Sequence, residues 1–240
     1  MHGNAEFNPS RLERYLAVAL EARVEPVFVL TKADLCETPV PYLAEVRRIA
    51  PLAAAVPVDV LTGEVESVLA PWLGSGQTVA LVGSSGVGKS TLINRLVARD
   101  AQATGRIREH DARGRHTTTS REMIAMPTGA WLIDTPGMRE LKIGAVDSGL
   151  GEAFADIEAL AAKCRFRDCG HETDEGCALQ EALRRGEIDA RRLRNYVKLQ
   201  REAAQAARSM RERREHDRRL GRFYKQVQAQ RQRDKKGRDR

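Results

Sequence analysis

Residues 83–90 are Gly-Ser-Ser-Gly-Val-Gly-Lys-Ser, and this stretch decides the fold of the 240-residue chain. It matches the pattern G-x-x-x-x-G-K-S, in which glycines let the backbone approach a phosphate chain while successive amides and the following helix N-terminus bind its oxygens. The β-prone residues 78–82 precede it and the helical residues 89–97 follow it, as this geometry requires. The sequence therefore predicts a nucleotide-binding loop between a strand and a helix.

We expect the whole loop to contact the phosphates of a nucleotide. Lys89 would reach the terminal phosphates, and the Ser90 hydroxyl would hold the Mg²⁺ ion that accompanies them. The residues predicted to line the site are Gly83, Ser84, Ser85, Gly86, Val87, Gly88, Lys89, Ser90 and Thr91. The alternative is a glycine-rich turn without a ligand, but the flanking strand and helix favour the binding loop.

A second phosphate element, Asp134-Thr135-Pro136-Gly137, follows about 45 residues after Lys89. In this D-x-x-G pattern the Asp134 carboxylate would lie near Mg²⁺ and the Gly137 amide near the γ-phosphate; alone, the same residues also describe a plain turn. The polar segment 101–119 is too long for an ordinary connection and contains three consecutive threonines, 117–119. We take Thr118 as the candidate that closes over Mg²⁺, although any of the three threonines fits this role. The alternative is that the threonines only form the β-prone start of the next strand.

We expect a third motif, Thr31-Lys32-Ala33-Asp34, to select the base of the nucleotide; this motif follows the short strand-like segment 27–30. The Asp34 carboxylate can accept hydrogen bonds from the ring N–H and the exocyclic amine of guanine, a donor pair that adenine lacks. The motif therefore favours GTP and GDP over adenine nucleotides, and its alternative is a chance loop sequence. The first position is usually Asn, so Thr31 is expected to weaken contacts between the loops.

The hydrophobic pattern alternates between strand-like and helix-like segments along the first part of the chain. This predicts an α/β fold with a doubly wound parallel sheet covered by helices on both faces. A helix is expected to begin after an Asn8 cap with Pro9 as its first residue. Residues 122–126 and 130–133 are expected to form a hairpin.

The order of the motifs is circularly permuted. The base loop precedes the phosphate loop by about 50 residues, whereas most guanine-nucleotide switches have it last. A parallel sheet tolerates this order because the motifs occupy loops at one edge of the sheet. We place the permuted P-loop GTPase domain at residues 1–150 and a second, mostly helical domain with a basic C-terminal helix or tail at 151–240, where residues 230–240 are expected to fray.

The second domain contains a cluster of metal-ligating residues with the spacing C-x4-C-x-H-x5-C. Cys164, Cys169, His171 and Cys177 supply four soft or borderline ligands in a short stretch, which predicts one structural Zn²⁺ ion. A closed four-ligand site leaves no position for water, so it would fold the module and not catalyse. The alternative is three buried cysteines and a surface histidine; Cys36 lies outside the cluster.

Composition and charge narrow the possible partners. Hydrophobic residues make up 42% of the chain and charged residues 30%, which is typical of a globular protein. Since neither a membrane span nor a signal peptide is visible in the sequence, we expect a cytoplasmic location without a membrane partner. Residues 184–240 carry 21 Lys and Arg against 8 Asp and Glu, whereas residues 1–183 carry 19 against 25. The basic end favours a polyanion such as RNA. A solvated helix, or pairing with an acidic protein, is the alternative.

In these motifs, the chain from Phe7 to about Tyr224 resembles the circularly permuted, ribosome small-subunit-dependent GTPases, which form the RsgA or YjeQ family. The segments that carry the resemblance are F-N-P-S-R-L-E-R-Y-L, G-S-S-G-V-G-K-S-T-L-I-N, G-R-H-T-T-T, D-T-P-G-M-R-E and C-R-F-R-D-C-G-H. The resemblance implies a monomeric, GTP-hydrolysing factor that binds the 30S ribosomal subunit late in its assembly, with 16S rRNA as the main surface.

Two departures from this family pattern stand out. Family members carry an OB-fold RNA-binding domain and a further strand before the position of Phe7, so we expect a shortened chain with altered ribosome affinity. Asp59 and Val60 replace the Ser-Ala of the family's second base loop, where base packing is expected to differ.

The expected catalytic group set is Lys89, Thr118 and His116. Met138 stands directly after D-x-x-G, where ordinary switches use Gln to orient water, so slow intrinsic turnover is expected. His116, beside the threonines, is the candidate for positioning the water, and the resemblance supports it; a solvated loop histidine is the alternative. The alternative function is that of a catalytically weak, GTP-dependent RNA-binding assembly placeholder. A third function, that of an ATPase or nucleotide kinase, is disfavoured by Asp34.

Overall fold

A computed structural model of the chain describes residues 7–61, 63–84, 86–97, 122–134, 143–144 and 146–238, except the side chains of 122 and 221–238. The chain divides into two compact units, Met1–Lys142 and Ile143–Arg240. Across the described residues, none of the helices combines the length and the apolar character needed to cross a bilayer.

The first unit alternates helices and strands. Its elements are α1 (Pro9–Glu21), β1 (Val27–Leu30), α2 (Val40–Ile49), β2 (Ala54–Pro57), α3 (Val65–Leu69), β3 (Thr78–Leu81), α4 (Lys89–Val97), β4 (Glu122–Ala125) and β5 (Trp131–Asp134). Helix α1 begins as its sequence predicts, because the Asn8 side chain accepts a hydrogen bond from the Arg11 amide at 3.1 Å and Pro9 occupies the first turn.

The described strands form two sheets. Strands β1 and β2 pair in parallel, while the second sheet has the order β3-β5-β4, with β3 parallel and β4 antiparallel to β5. The α/β class and the hairpin are therefore confirmed, but the expected single parallel sheet is divided in the described part of the chain. Each strand has only four residues, so the ladders are short, and the two sheets are connected by side-chain packing.

That packing is one apolar core beneath the phosphate loop. The buried face of α4, with Leu92 and Leu96, packs with Leu132 of β5, and Val29 of β1 and Val56 of β2 contact the same cluster. Burying a side chain of this size contributes roughly 1.5–3 kcal/mol. Because the core includes residues of both sheets, it holds the loops that follow β1 and β3 close to each other.

The second unit is helical, with the elements α5 (Asp147–Ala153), α6 (Ala155–Ala161), α7 (Ala178–Arg184) and α8 (Ala190–Arg238). An ion pair between the buried Arg192 and the half-exposed Asp156 joins α8 to α6. Arg192 at the start of α8 donates to Asp156 Oδ1 at 2.8 Å and to the Ala153 carbonyl oxygen at 3.2 Å. Its guanidinium also lies 4.8 Å from the centre of the Phe154 ring, a cation–π contact. Burial raises the pKa of Asp156, but the hydrogen bonds and charge of Arg192, together with backbone hydrogen bonds from Ile157 and Asp156, lower that pKa overall.

Helix α8 has 49 residues and is about 74 Å long at the usual helical rise. Its first part buries Tyr196, Leu199 and Ala203, whereas every side chain from 208 to 220 is exposed. The helix continues through Arg238, so the expectation that residues 230–238 fray is wrong. Arg, Lys and Gln make up seven of those nine residues, and their high helix propensity favours continuation.

Candidate functional site

The phosphate loop is shaped by glycine and held by its own lysine. Gly86 and Gly88 have φ values of +86° and +93°, a backbone region that favours glycine. The Lys89 Nζ atom donates to the carbonyl oxygen of Gly83 at 2.6 Å and to that of Ser84 at 2.7 Å. The ammonium is thus held inside the loop, where an oxyanion would meet it.

Sheet register brings the carboxylate of the D-x-x-G element to the same place. In the parallel β3–β5 ladder, Asp134 pairs with Leu81, the last strand residue before the loop. Burial lowers the pKa of Lys89, and the negative charge of Asp134 opposes that shift. A carboxylate beside the loop, together with the Ser90 hydroxyl at the start of α4, is the oxygen donor set that Mg²⁺ prefers, so these residues fit the ion.

The base-recognition loop contacts the phosphate loop directly. Thr31 donates from its hydroxyl to the Val87 carbonyl oxygen at 2.6 Å, across 56 residues of sequence. A Cβ atom on Gly88 would lie 3.8 Å from the Thr31 side chain, which confirms how closely the loops approach. A direct hydrogen bond between the loops is therefore retained with Thr31 in the first position.

Backbone hydrogen bonds place the second base loop beside the first. The Val58 amide donates to the Leu30 carbonyl at 2.8 Å, and the Val58 carbonyl accepts from the Ala33 amide at 3.4 Å. Lys32 adopts a left-handed conformation with φ 60° and leads into a short 3₁₀ turn that carries the exposed Asp34. A carboxylate so exposed is available to the donors of a purine.

The turn after Val58 is tight. Asp59 Oδ1 accepts from the Leu61 amide at 2.9 Å, and a Cβ on Gly63 would come within 2.6 Å of the Asp59 carbonyl oxygen. Glycine is therefore required at 63, and the Asp59 carboxylate is already used by the turn.

One site residue was missed by sequence reasoning. Arg11 Nη1 of α1 donates to Ser84 Oγ at 2.7 Å, 73 residues away. The available signal was local: Arg11 lies in the first turn of a helix that has no acidic residue there, where the helix dipole disfavours a cation. Such a local conflict is a marker of function.

Several predicted site residues fall outside the described part of the chain. These are Ser85, His116, Thr117, Thr118, Thr119, Gly137 and Met138. Thr91 is described and is exposed in the first turn of α4. The described residues that the fold brings together at the loop are Arg11, Thr31, Ser84, Val87, Gly88, Lys89 and Asp134.

The second unit contains the candidate metal centre. The ligand atoms of Cys164, Cys169, His171 and Cys177 all lie within 4.8 Å of one another. The sulfurs of Cys164 and Cys177 are 3.9 Å apart, and His171 Nδ1 is 3.7 Å from each of them. A tetrahedral zinc ion with ordinary Zn–S bonds separates its sulfurs by about 3.8 Å. The four residues therefore fit zinc.

Neighbouring groups hold the ligand loop in shape. His171 has φ 61°, and its carbonyl oxygen accepts from Gln180 Nε2 of α7 at 2.7 Å. The fully buried Tyr196 of α8 lies beside it, with ring centroids 6.4 Å apart, and donates to Glu158 Oε1 at 2.8 Å. Helix α8 is thereby tied to the metal loop.

The charge states of the ligands depend on this environment. Burial raises the pKa of Cys169 to about 12, and hydrogen bonds with the thiols of Cys177 and Cys164 also raise it. Burial lowers the pKa of His171. Metal binding by the Cys169 thiolate would therefore release its proton, so the affinity of the cluster is expected to fall in acid.

Comparison with known proteins identifies the family of the chain. The model of the RsgA GTPase family matches residues 2–144. The chain belongs to the RsgA GTPase family. A relative from Vibrio parahaemolyticus, named "Small ribosomal subunit biogenesis GTPase RsgA 2", is 50% identical over 226 residues, which are 94% of this chain and 63% of the relative. Another from Opitutus terrae, named "Small ribosomal subunit biogenesis GTPase RsgA", is 52% identical over 85% of this chain and 56% of its own.

The chain thus spans less than two thirds of the length of these curated relatives. Among solved structures, YjeQ from Thermotoga maritima is similar with a TM-score of 0.56 and 27% identity, covering 84% of this chain and 68% of that one. YloQ, described as a circularly permuted GTPase, has a TM-score of 0.56 at 24% identity, covering 85% and 65%, and shows the fold alone. These neighbours confirm the permuted fold class.

Proposed function

We propose that this chain binds GTP and hydrolyses it to GDP and phosphate during biogenesis of the small ribosomal subunit. The observation that carries the proposal is the 2.6 Å hydrogen bond from Thr31 to Val87, which joins a base-selecting loop to a phosphate loop. Neither loop alone defines a guanine-nucleotide site. Their contact, membership of the RsgA GTPase family and the names of its relatives support GTP as the ligand.

The roles of the described residues follow from their chemistry. Lys89 binds the terminal phosphates by exchanging the carbonyls of Gly83 and Ser84 for phosphate oxygens. Asp34 accepts from the two guanine donors, which selects against adenine. Ser90 and Asp134, with Thr118, would hold Mg²⁺, which neutralises developing charge on the phosphates when bound.

Hydrolysis also needs a group that orients the attacking water. His116 is proposed for this role because Met138 has no hydrogen-bonding side chain. We place the GTPase activity in residues 1–150. Slow intrinsic turnover follows if the orienting group is completed only on the ribosome.

We propose 30S subunits and 16S rRNA as the partners, bound by a monomer in the cytoplasm. The exposed stretch 208–220 of α8 carries six Arg against three Asp and Glu, which suits a phosphate backbone. Residues 151–240 would supply this surface, with one structural zinc on Cys164, Cys169, His171 and Cys177. The names of the relatives support the small subunit as the target.

Phosphate release from GTP, measured with and without purified 30S subunits, tests the proposal. We expect slow release from the chain alone, stimulation by 30S subunits, and loss of both with Lys89→Ala. An excess of ATP should not compete. GTP binding without release under either condition would establish the assembly placeholder instead, and absence of GTP binding would refute the site.

Base selection has its own test. Asp34→Asn replaces an acceptor with an amide that can also donate, so GTP affinity should fall while xanthosine triphosphate, which has an oxygen in place of the exocyclic amine, should gain affinity. Glu37→Gln removes an exposed carboxylate three residues further on and serves as the matched control. Unchanged preference in Asp34→Asn would exclude Asp34 from the base site.

A further inference from the structure

Arg11 reaches the phosphate loop from outside the nucleotide motifs. Its Nη1 atom donates to Ser84 Oγ at 2.7 Å. The residue lies in the first turn of α1, behind the Asn8 cap. The positive end of the helix dipole disfavours a cation there. An anion near the guanidinium would offset that cost.

Two cationic side chains from different helices meet at Ser84. Arg11 of α1 binds its hydroxyl, and Lys89 of α4 binds its carbonyl oxygen at 2.7 Å. Like charges brought this close repel each other, and an oxyanion between them converts the repulsion into two attractive pairs. The Asp134 charge acts on Lys89, but within the described residues the Arg11 guanidinium has no hydrogen bond besides the one to Ser84. It therefore has N–H donors to offer a ligand.

The two halves of the phosphate loop differ in what they contact. Thr31 of the base loop binds Val87 in the second half, and Arg11 binds Ser84 in the first half. A nucleotide whose base lies at the base loop extends its phosphates away from it, so its terminal phosphate is the one that approaches Ser84. This step rests on the proposed function, since it takes GTP as the ligand.

We propose that Arg11 is a second phosphate-binding cation, which contacts the terminal phosphate of bound GTP. A guanidinium is planar and matches two phosphate oxygens at once, unlike the point charge of Lys89. Because GDP lacks the γ-phosphate, which is the terminal phosphate of GTP, Arg11 gives the chain a preference for GTP over GDP. The same contact links α1 to the phosphate state of the nucleotide.

The test compares the affinity of the full chain for GDP and for a non-hydrolysable GTP analogue, each with Mg²⁺, by fluorescence titration. Arg11→Met is expected to weaken the analogue at least tenfold, about 1.4 kcal/mol, while GDP affinity stays within about twofold. Arg11→Lys should recover part of the loss.

Arg47→Met is the matched control, since Arg47 is exposed on α2 of the same unit and the charge change is identical. Equal losses for both nucleotides, or none, in Arg11→Met would overturn the proposal. If Arg11→Met does not fold, Arg11→Lys decides: a selective severalfold loss for the analogue supports the proposal, and unchanged affinities overturn it. A wild-type chain that binds neither nucleotide would instead refute the proposed function.

Discussion

Replacing Thr31 by Val tests the contact between the base loop and the phosphate loop. Valine keeps the size and branching of threonine but removes the hydroxyl that donates to the Val87 carbonyl at 2.6 Å. This distance is at the short end for an O–H···O bond, which indicates a good geometry. The variant therefore removes one well-formed hydrogen bond and little else.

The expected loss can be worked from the burial of this pair. A typical hydrogen bond contributes about 0.5–1.5 kcal/mol net, and an acceptor left unpaired in a fully buried site costs about 1–3 kcal/mol. Thr31 and Val87 are only partly buried, so water can solvate the freed carbonyl and the lower figures apply. A loss of about 1 kcal/mol corresponds to roughly fivefold weaker nucleotide binding.

The loss of affinity should be equal for the non-hydrolysable GTP analogue and for GDP, because both nucleotides have the same base and meet the same loop shape. Titration of each nucleotide measures it, and Thr31→Ser, which keeps the hydroxyl, is the matched control with nearly unchanged affinity. Thr31→Asn should also retain binding, since its amide can donate to the same carbonyl. Unchanged affinities in Thr31→Val would refute the inference that this hydrogen bond shapes the site.

Three further predictions concern the second unit. Cys177→Ser should abolish stoichiometric zinc in metal analysis and lower the melting temperature, whereas Cys36→Ser, outside the cluster, should change neither. Arg192→Met should destabilise the unit by about 1–2 kcal/mol in urea unfolding, because it breaks the pair with Asp156 and the Phe154 contact. The half-exposed carboxylate keeps the loss below that of a fully buried pair. A loss no larger than that of the exposed Arg194→Met control would contradict the stabilising role of Arg192. The pKa of Asp156 is lowered in the folded state, so the ionised carboxylate stabilises the unit above the ordinary carboxyl pKa, and this contribution is lost as the pH falls through the lowered value. The difference in unfolding free energy between wild type and Arg192→Met should therefore narrow in acid. A constant difference down to the most acidic pH at which the unit folds would contradict the role of Asp156.

The motif chemistry was predictable because each pattern depends on residues close together in sequence. The strand before Gly83, the helix that begins at Lys89 and the hairpin at β4 and β5 all lie where hydrophobic pattern and turn residues indicate. The Asn8 cap was predicted on the same local grounds. Cysteine and histidine spacing likewise indicated the cluster whose ligand atoms lie together.

The division of the strands into two sheets was not predictable in this way. Strand pairing depends on hydrogen bonds between distant segments, and four-residue ladders form or end according to how the core packs around them. The continuation of α8 through Arg238 was missed for a different reason, because charge density suggested fraying while helix propensity favoured the helix.

By itself, the amino-acid sequence determined the permuted order of the motifs, the placement of glycines in the phosphate loop and the spacing of the candidate metal ligands, since these follow from chain order and side-chain chemistry. Only the tertiary structure decided that Thr31 contacts Val87, that Asp134 is the strand partner of Leu81 and that Arg11 binds Ser84 of the phosphate loop. Those partners are tens of residues apart, and no local pattern specifies them. They meet because both sheets bury their apolar side chains in one core, which sets the distances between the loops above it.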